Sequence, residues 1–206
     1  MKKLLLSLAI ASAITGCGGG ETLEDVKNDN PPVLPTATVK FDPANSVISV
    51  PNDLLMSGTL DGTLNIPGEL DDNNVSVERA AYADPQLALG ALDGWSTQTP
   101  FKIDLTFPAG ISLDMTSAAS PGAVRIFEVV MGASQTDETC SQVPAGIACK
   151  LVSELTFGVD FVTQGSGDAV AVIPLKPFKA GSTYINVLTT SLMDSEGRSI
   201  EPSSTY

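Results

Sequence analysis

Three thiols, 24 carboxylates and no imidazole are the chemical resources of this 206-residue chain. A Ser-His-Asp triad needs an imidazole to take the serine proton and hand it to the leaving group, so a histidine-free chain cannot hydrolyse esters that way by itself. No G-x-S-x-G elbow occurs either, since QGSGD (164–168) and MGASQ (131–135) lack the spacing. Cys140 and Cys149 remain as an even pair once Cys17 is set apart, and the CSQVPAGIAC loop between them carries Pro and Gly suited to a reversal. In an oxidising compartment that pair is expected to form a disulfide. A metal site on two cysteines would want further ligands, and histidine is absent, so neither metal nor other cofactor is expected.

The oxygen-rich turns Asp71-Asp72-Asn73-Asn74 and Asp194-Ser195-Glu196-Gly197 could offer ligands to calcium, but neither fits the twelve-residue calcium loop. Solvated turns are the plainer reading. Paired carboxylates for glycoside cleavage are defined by a spatial gap, which an acidic chain satisfies by chance. Trp95, Phe101 and Phe107 could face a lipid or glycan, although core packing is the ordinary use of such rings.

Cys17 has a different setting. Lys2 and Lys3 precede the apolar run Leu4 to Ile14, and small residues lead into the cysteine, which are the three parts of an export signal. Eleven positions, two of them serine, are too few for a membrane span. Ile14-Thr15-Gly16-Cys17 resembles the bacterial lipobox, whose cysteine is acylated and becomes the new amino terminus. The alternative is a plain secretory signal with an incidental cysteine. The expected layout is a lipoprotein signal peptide over 1–16, a lipidated tether over 17–35 and a folded β domain over 36–206. Acyl chains on Cys17 would be the membrane contact, since stable anchoring takes more than one chain. Residue 18 is glycine rather than an inner-membrane-retaining aspartate, so an outer-membrane lipoprotein is expected, on the periplasmic or, by preference, the cell-surface side.

Gly18 to Pro35 is rich in Gly, Pro, Glu, Asp and Asn, a composition that buries too little apolar surface to fold. Net charge is −13, and removal of the two signal lysines makes it −15. Nucleic acid demands a basic footprint, so it is excluded as a partner.

The rest, with 18 Gly, 14 Pro and 17% charged residues, reads as turn-rich and β-rich. Asp84-Pro85 marks a helix start, with Leu87, Ala88, Ala91 and Leu92 as one face and Gly94 as the stop. One short helix is therefore expected near 85–93. FKIDLTF alternates, with Phe101, Ile103, Leu105 and Phe107 on one side. Further strands are expected over 123–130, 149–157, 160–164, 168–175 and 182–190, with hairpin turns at GSGD (165–168) and DSEG (194–197). The face that TYINVLTT turns inward is undecided, because both of its faces mix polar and apolar residues. The fold class is mainly β: an Ig-like sandwich with one short helix.

Two blocks carry more than composition: KFDPANSVISVPNDLLMSGTLDGTLNIPG (40–68) and DPQLALGALDGWSTQTPFKIDLTFPAGISLD (84–114). Within them, Asp42-Pro43, Pro51-Asn52-Asp53, Asp61-Gly62 and Asp93-Gly94-Trp95-Ser96 are the motif positions. Together these resemble the amino-terminal domain of the bacterial virulence-factor lipases, a family that includes surface lysophospholipases of Vibrio-like Gammaproteobacteria. The family usually has Phe where Trp95 stands. The resemblance implies that these motif residues are structural, that a linker and an α/β-hydrolase domain follow in cis, and that catalysis lies in that domain. The rival expectation is a stand-alone Ig-like lipoprotein for binding or adhesion.

Overall fold

Alternating runs such as Phe101, Ile103 and Leu105 put one apolar side chain every second residue on the same face of a strand. A sheet so patterned must bury that face against another layer. The structure, a computed structural model, describes residues 35–57, 63–64 and 85–205. The export segment with Cys17, the tether, Asp61, Gly62, the 71–74 turn and Asp84 lie outside the described residues.

Among the described residues seven strands form two antiparallel sheets. They are β1 (Thr38–Val39), β2 (Phe101–Thr106), β3 (Val124–Met131), β4 (Ala148–Glu154), β5 (Phe161–Gly165), β6 (Ala169–Pro174) and β7 (Thr183–Leu188). One sheet runs β1-β2-β6-β5 and the other β4-β3-β7. Lettered in chain order as A, B, C, C′, D, E and F, these are the A-B-E-D and C′-C-F sheets of an immunoglobulin-type sandwich. The expected fold class stands.

The core lies between the sheets. Leu105 of β2, Phe161 of β5 and Val170 and Val172 of β6 meet Val124 and Ile126 of β3, with Leu113, Ala118, Ala123 and Leu192 closing the ends. Phe101, Ile103 and Phe107 pack on this cluster, so those aromatics belong to the core. Tyr184 and Leu188 pack there too, which settles the inward face of β7. The GSGD hairpin joins β5 to β6 through Gly167, whose φ of 61° is the left-handed region that glycine enters without strain.

Helix content differs from expectation in two places. The helix spans Pro85–Gly90 and ends earlier than the pattern proposed; Leu92 lies beyond it, 42% exposed, with its amide bonded to the Leu89 carbonyl. A second helix, Met115–Ala118, escapes a periodicity search because four residues complete barely one turn. Its start is set by Asp114, whose carboxylate accepts from the Thr116 amide at 2.9 Å. Thr163 ties it to β5 by donating to the Ala118 carbonyl at 2.6 Å. Among the described residues no helix is long and apolar enough to cross a membrane.

Candidate functional site

The motif blocks are assembled by short-range polar bonds and joined by long-range ones, among them a side-chain pair. In the first block, Asp42 accepts from Asn45 Nδ2 at 2.6 Å, and the Asp42 and Val47 backbones pair, closing a turn over the 3-10 segment Pro43–Asn45. Pro51 follows a cis peptide bond. Asn52 then caps the 3-10 segment Asp53–Met56, its side-chain oxygen accepting from the Leu54 amide at 3.0 Å.

In the second block the chain leaves the Pro85–Gly90 helix through Asp93 and Gly94. Ser96 Oγ accepts from the amides of Gln98 and Thr99 at 3.3 and 3.1 Å and from Thr99 Oγ1 at 2.7 Å, locking a turn. Trp95 Nε1 donates to Asp53 Oδ1 at 3.0 Å and so clamps the blocks together. The Leu64 amide adds a backbone bond to the Leu92 carbonyl at 3.0 Å. Trp95 is half-buried and stays outside the core cluster. Around this clamp the chain leaves Val50, Leu54, Leu89 and Leu92 exposed at 42–53%. The described motif residues thus build a clamped loop pair with apolar side chains at its surface.

The cysteines behave as expected of an oxidised pair. Cys140 and Cys149 are disulfide-bonded with Cα atoms 5.7 Å apart. Register shifts between β3 and β4 leave Cys149 and Val152 without a partner of their own opposite β3. Such bulges re-aim a side chain, and here one turns Cys149 toward the buried Cys140. Spacing alone carried no sign of the bulge.

Five carboxylates are held below their ordinary values by the groups that donate to them. Glu128 lies below the usual range because Lys179 and Ser182 donate to it, Asp160 because of the Thr156 amide and Lys176, and Asp137 because of the Cys140 amide and Lys150. Glu154 is lowered by the bidentate guanidinium of Arg125, both contacts 2.7 Å. Asp194 departs from the solvated-turn expectation. It is 1% exposed, with Oδ1 accepting from the amides of Glu196 and Arg198 and Oδ2 from Arg198 Nε at 2.9 Å, while Arg198 Nη2 forms an ion pair with Oδ2 at 2.8 Å. Burial pushes its carboxyl up, and those bonds outweigh burial to bring it below the ordinary value. Its oxygens serve the turn rather than a cation. Among the described residues no three His, Cys, Asp or Glu side chains converge as metal ligands. None of the shifted carboxylates is raised toward neutrality, where a proton donor would need it.

This geometry provides clamped loops, an apolar fringe and fixed charges. Comparison with known proteins gives the domain its place. An extracellular lipase of Aeromonas hydrophila is 31% identical over 186 residues, covering 85% of this chain and 23% of the lipase, so the chain spans about a quarter of that relative's length. No solved structure matches. The model of the bacterial virulence factor lipase N-terminal family matches residues 34–206, clamp and both sheets included, and the chain belongs to that family.

Proposed function

We propose that this domain is the non-catalytic amino-terminal part of a surface-exposed outer-membrane lipase or lysophospholipase, tethered through acylated Cys17 and positioning an α/β-hydrolase domain near lipid. The observation that carries the reading is a lipase-family match over residues 34–206 in a chain with no histidine. Binding and placement are then the work of this domain, and the triad belongs to the rest of the polypeptide. Exposed Val50, Leu54, Leu89 and Leu92 beside the Asp53–Trp95 clamp supply apolar contact area for the hydrolase or the lipid surface.

Two assays test it. Purified mature chain is expected to hydrolyse p-nitrophenyl butyrate and lysophosphatidylcholine no faster than a boiled control, and turnover above that control removes the non-catalytic role. Radiolabelled palmitate is expected in the wild-type chain and not in Cys17→Ser; equal labelling of the two rejects the anchor.

The Ig-type strand order also suits a stand-alone binding or adhesion lipoprotein. Reading the frame beyond codon 206 separates the two: a G-x-S-x-G segment followed by a histidine supports the lipase, and a stop codon supports the adhesin.

A further inference from the structure

An exposed sheet edge offers unpaired N–H and C=O groups to any passing strand, and folded proteins blunt such edges with bulges, charges or covering chain. Among the described residues three of the four sheet edges are blunted. On β1, the Glu201 amide donates to the Ala37 carbonyl and the Val39 amide to the Glu201 carbonyl, at 2.8 and 3.0 Å. On β5, Phe157 bridges Phe161 and the Gly158 amide donates to the Phe161 carbonyl at 2.7 Å. On β4 there are two register shifts, a disulfide, Lys150 and Glu154.

β7 differs. Its sequence TYINVL has no charge, no proline and an unbroken register against β3, and among the described residues no strand pairs with its other edge. The Thr189 amide donates to Ala123 on the β3 side, while the Ile126 carbonyl, opposite Asn186, accepts from Leu155 on the β4 side. Antiparallel bonding alternates, so Thr183, Ile185 and Val187 bond β3. The backbone groups of Tyr184, Asn186 and Leu188 face the unpaired edge.

The chain itself indicates what belongs there. After the Asp194–Gly197 turn it runs back antiparallel: Met193 bridges Ser199, the Ile200 amide donates to the Leu192 carbonyl at 3.0 Å, and Ser199 Oγ donates to the Thr190 carbonyl. Ile200 bonds on the β7 side and Glu201 on the β1 side, so this segment is the start of a strand lying between the two. Carried forward, its register sets even-numbered positions opposite Leu188, Asn186 and Tyr184, the residues with outward backbone groups. In the structure Ser204 and Thr205 turn instead.

The geometry points to an eighth strand, supplied in cis by the polypeptide that follows Thr205 and added antiparallel to β7. It rests on the reading above that the lipase polypeptide continues, and it makes the hydrolase linker an integral strand of this sandwich. An immunoglobulin-type sandwich places its last strand, G, beside F in this way.

Residue-resolved amide exchange tests it, comparing the 206-residue chain with one extended by the next roughly twelve codons of its own frame, about two strand lengths. In the shorter chain Tyr184, Asn186 and Leu188 are expected to exchange fast, and in the longer one roughly 100-fold more slowly. Thr183, Ile185 and Val187 stay protected in both. Asn186→Pro in the longer chain removes an outward donor without touching the β3 bonds, and is expected to abolish the added protection alone. Equal exchange in the two chains overturns the proposal, as does a stop codon at position 207. Protection already present in the shorter chain, rising with concentration alongside a sedimenting dimer, assigns the edge to a second copy and also overturns it. Ester hydrolysis by the full reading frame is scored separately. Protection without hydrolysis keeps the strand and removes the hydrolase, whereas hydrolysis without protection removes only the strand.

Discussion

Trp95 donates its indole N–H to the carboxylate of Asp53 across 42 residues of chain, at 3.0 Å. That bond helps to join the two motif blocks, and the residues that space it are turn and cap formers: Asn52 on one side, Ser96 on the other. As the one tryptophan in the chain, Trp95 also reports on the clamp directly.

Replacing Trp95 by phenylalanine keeps an aromatic ring and removes the donor. Trp95→Phe is expected to cost about 1 kcal/mol, since the bond is to a charge but in an exposed setting. For a domain of this size that is a fall of roughly 2–4 °C in Tm, checked by thermal melting. Asp53→Ala should give a similar loss, shift Trp95 fluorescence to the red, and add little when combined with Trp95→Phe. Fully additive losses would show that the two side chains do not act through one bond.

Two glycines make opposite predictions. A Cβ on Gly132 would run into the backbone carbonyl of Pro144, because the disulfide loop crosses there. Gly132→Ala is expected to cost about 2–3 kcal/mol, since backbone rather than a flexible side chain must move. Nothing lies within 4 Å of a Cβ on Gly94, and its φ is outside the left-handed region. Gly94→Ala should therefore be neutral or stabilising by up to about 1 kcal/mol. Urea midpoints of the two variants measure the contrast, and equal midpoints would refute it.

The Cys140–Cys149 bridge closes a loop with a sequence separation of 9. In the chain-entropy account so short a loop contributes roughly 2–3 kcal/mol. Reduction, or the Cys140→Ala/Cys149→Ala pair, is expected to lower Tm by roughly 5–10 °C and to open the 132–147 loop to protease. An unchanged melt on reduction would place the stabilisation elsewhere.

The strand ladder was legible because alternation and turn chemistry agree along most of the chain. Phe101, Ile103, Leu105 and Phe107 announced β2, and GSGD announced the β5–β6 hairpin. β1 is two residues long, too short for any period to show. The orientation of β7 was hidden because Tyr184 and Leu188 share a face with exposed Asn186, and only packing could decide. The motif residues were visible as turn formers, but the Asp53–Trp95 bond is set by tertiary approach and leaves no spacing signal. DSEGR could have suggested an Asp194–Arg198 pair four residues apart. The burial of Asp194 and the β-bridge between Leu113 and Asp194 could not be read from five letters.

The buried Asp194 and four more exposed carboxylates contribute acid sensitivity. Asp194 has its carboxyl lowered from 3.8 in the folded chain, and Glu128, Asp137, Glu154 and Asp160 shift the same way. A lowered folded pKa means the unfolded chain binds more protons in the interval between the two values, so stability rises with pH there. The contribution is fully present above the unfolded values, near pH 4–4.5, and is lost as pH falls through the folded ones. The urea midpoint is therefore expected to be flat from pH 7 to about 5 and to drop steeply below about 4. Asp194→Asn should cost about 2–3 kcal/mol at pH 7, because it removes the buried charge to which the Glu196 and Arg198 amides and the Arg198 guanidinium donate. Its deficit against the parent should shrink as pH is lowered from 4 toward 2, where the parent loses the same carboxylate. A deficit that stayed constant across that range would mean the acid transition is driven by other groups.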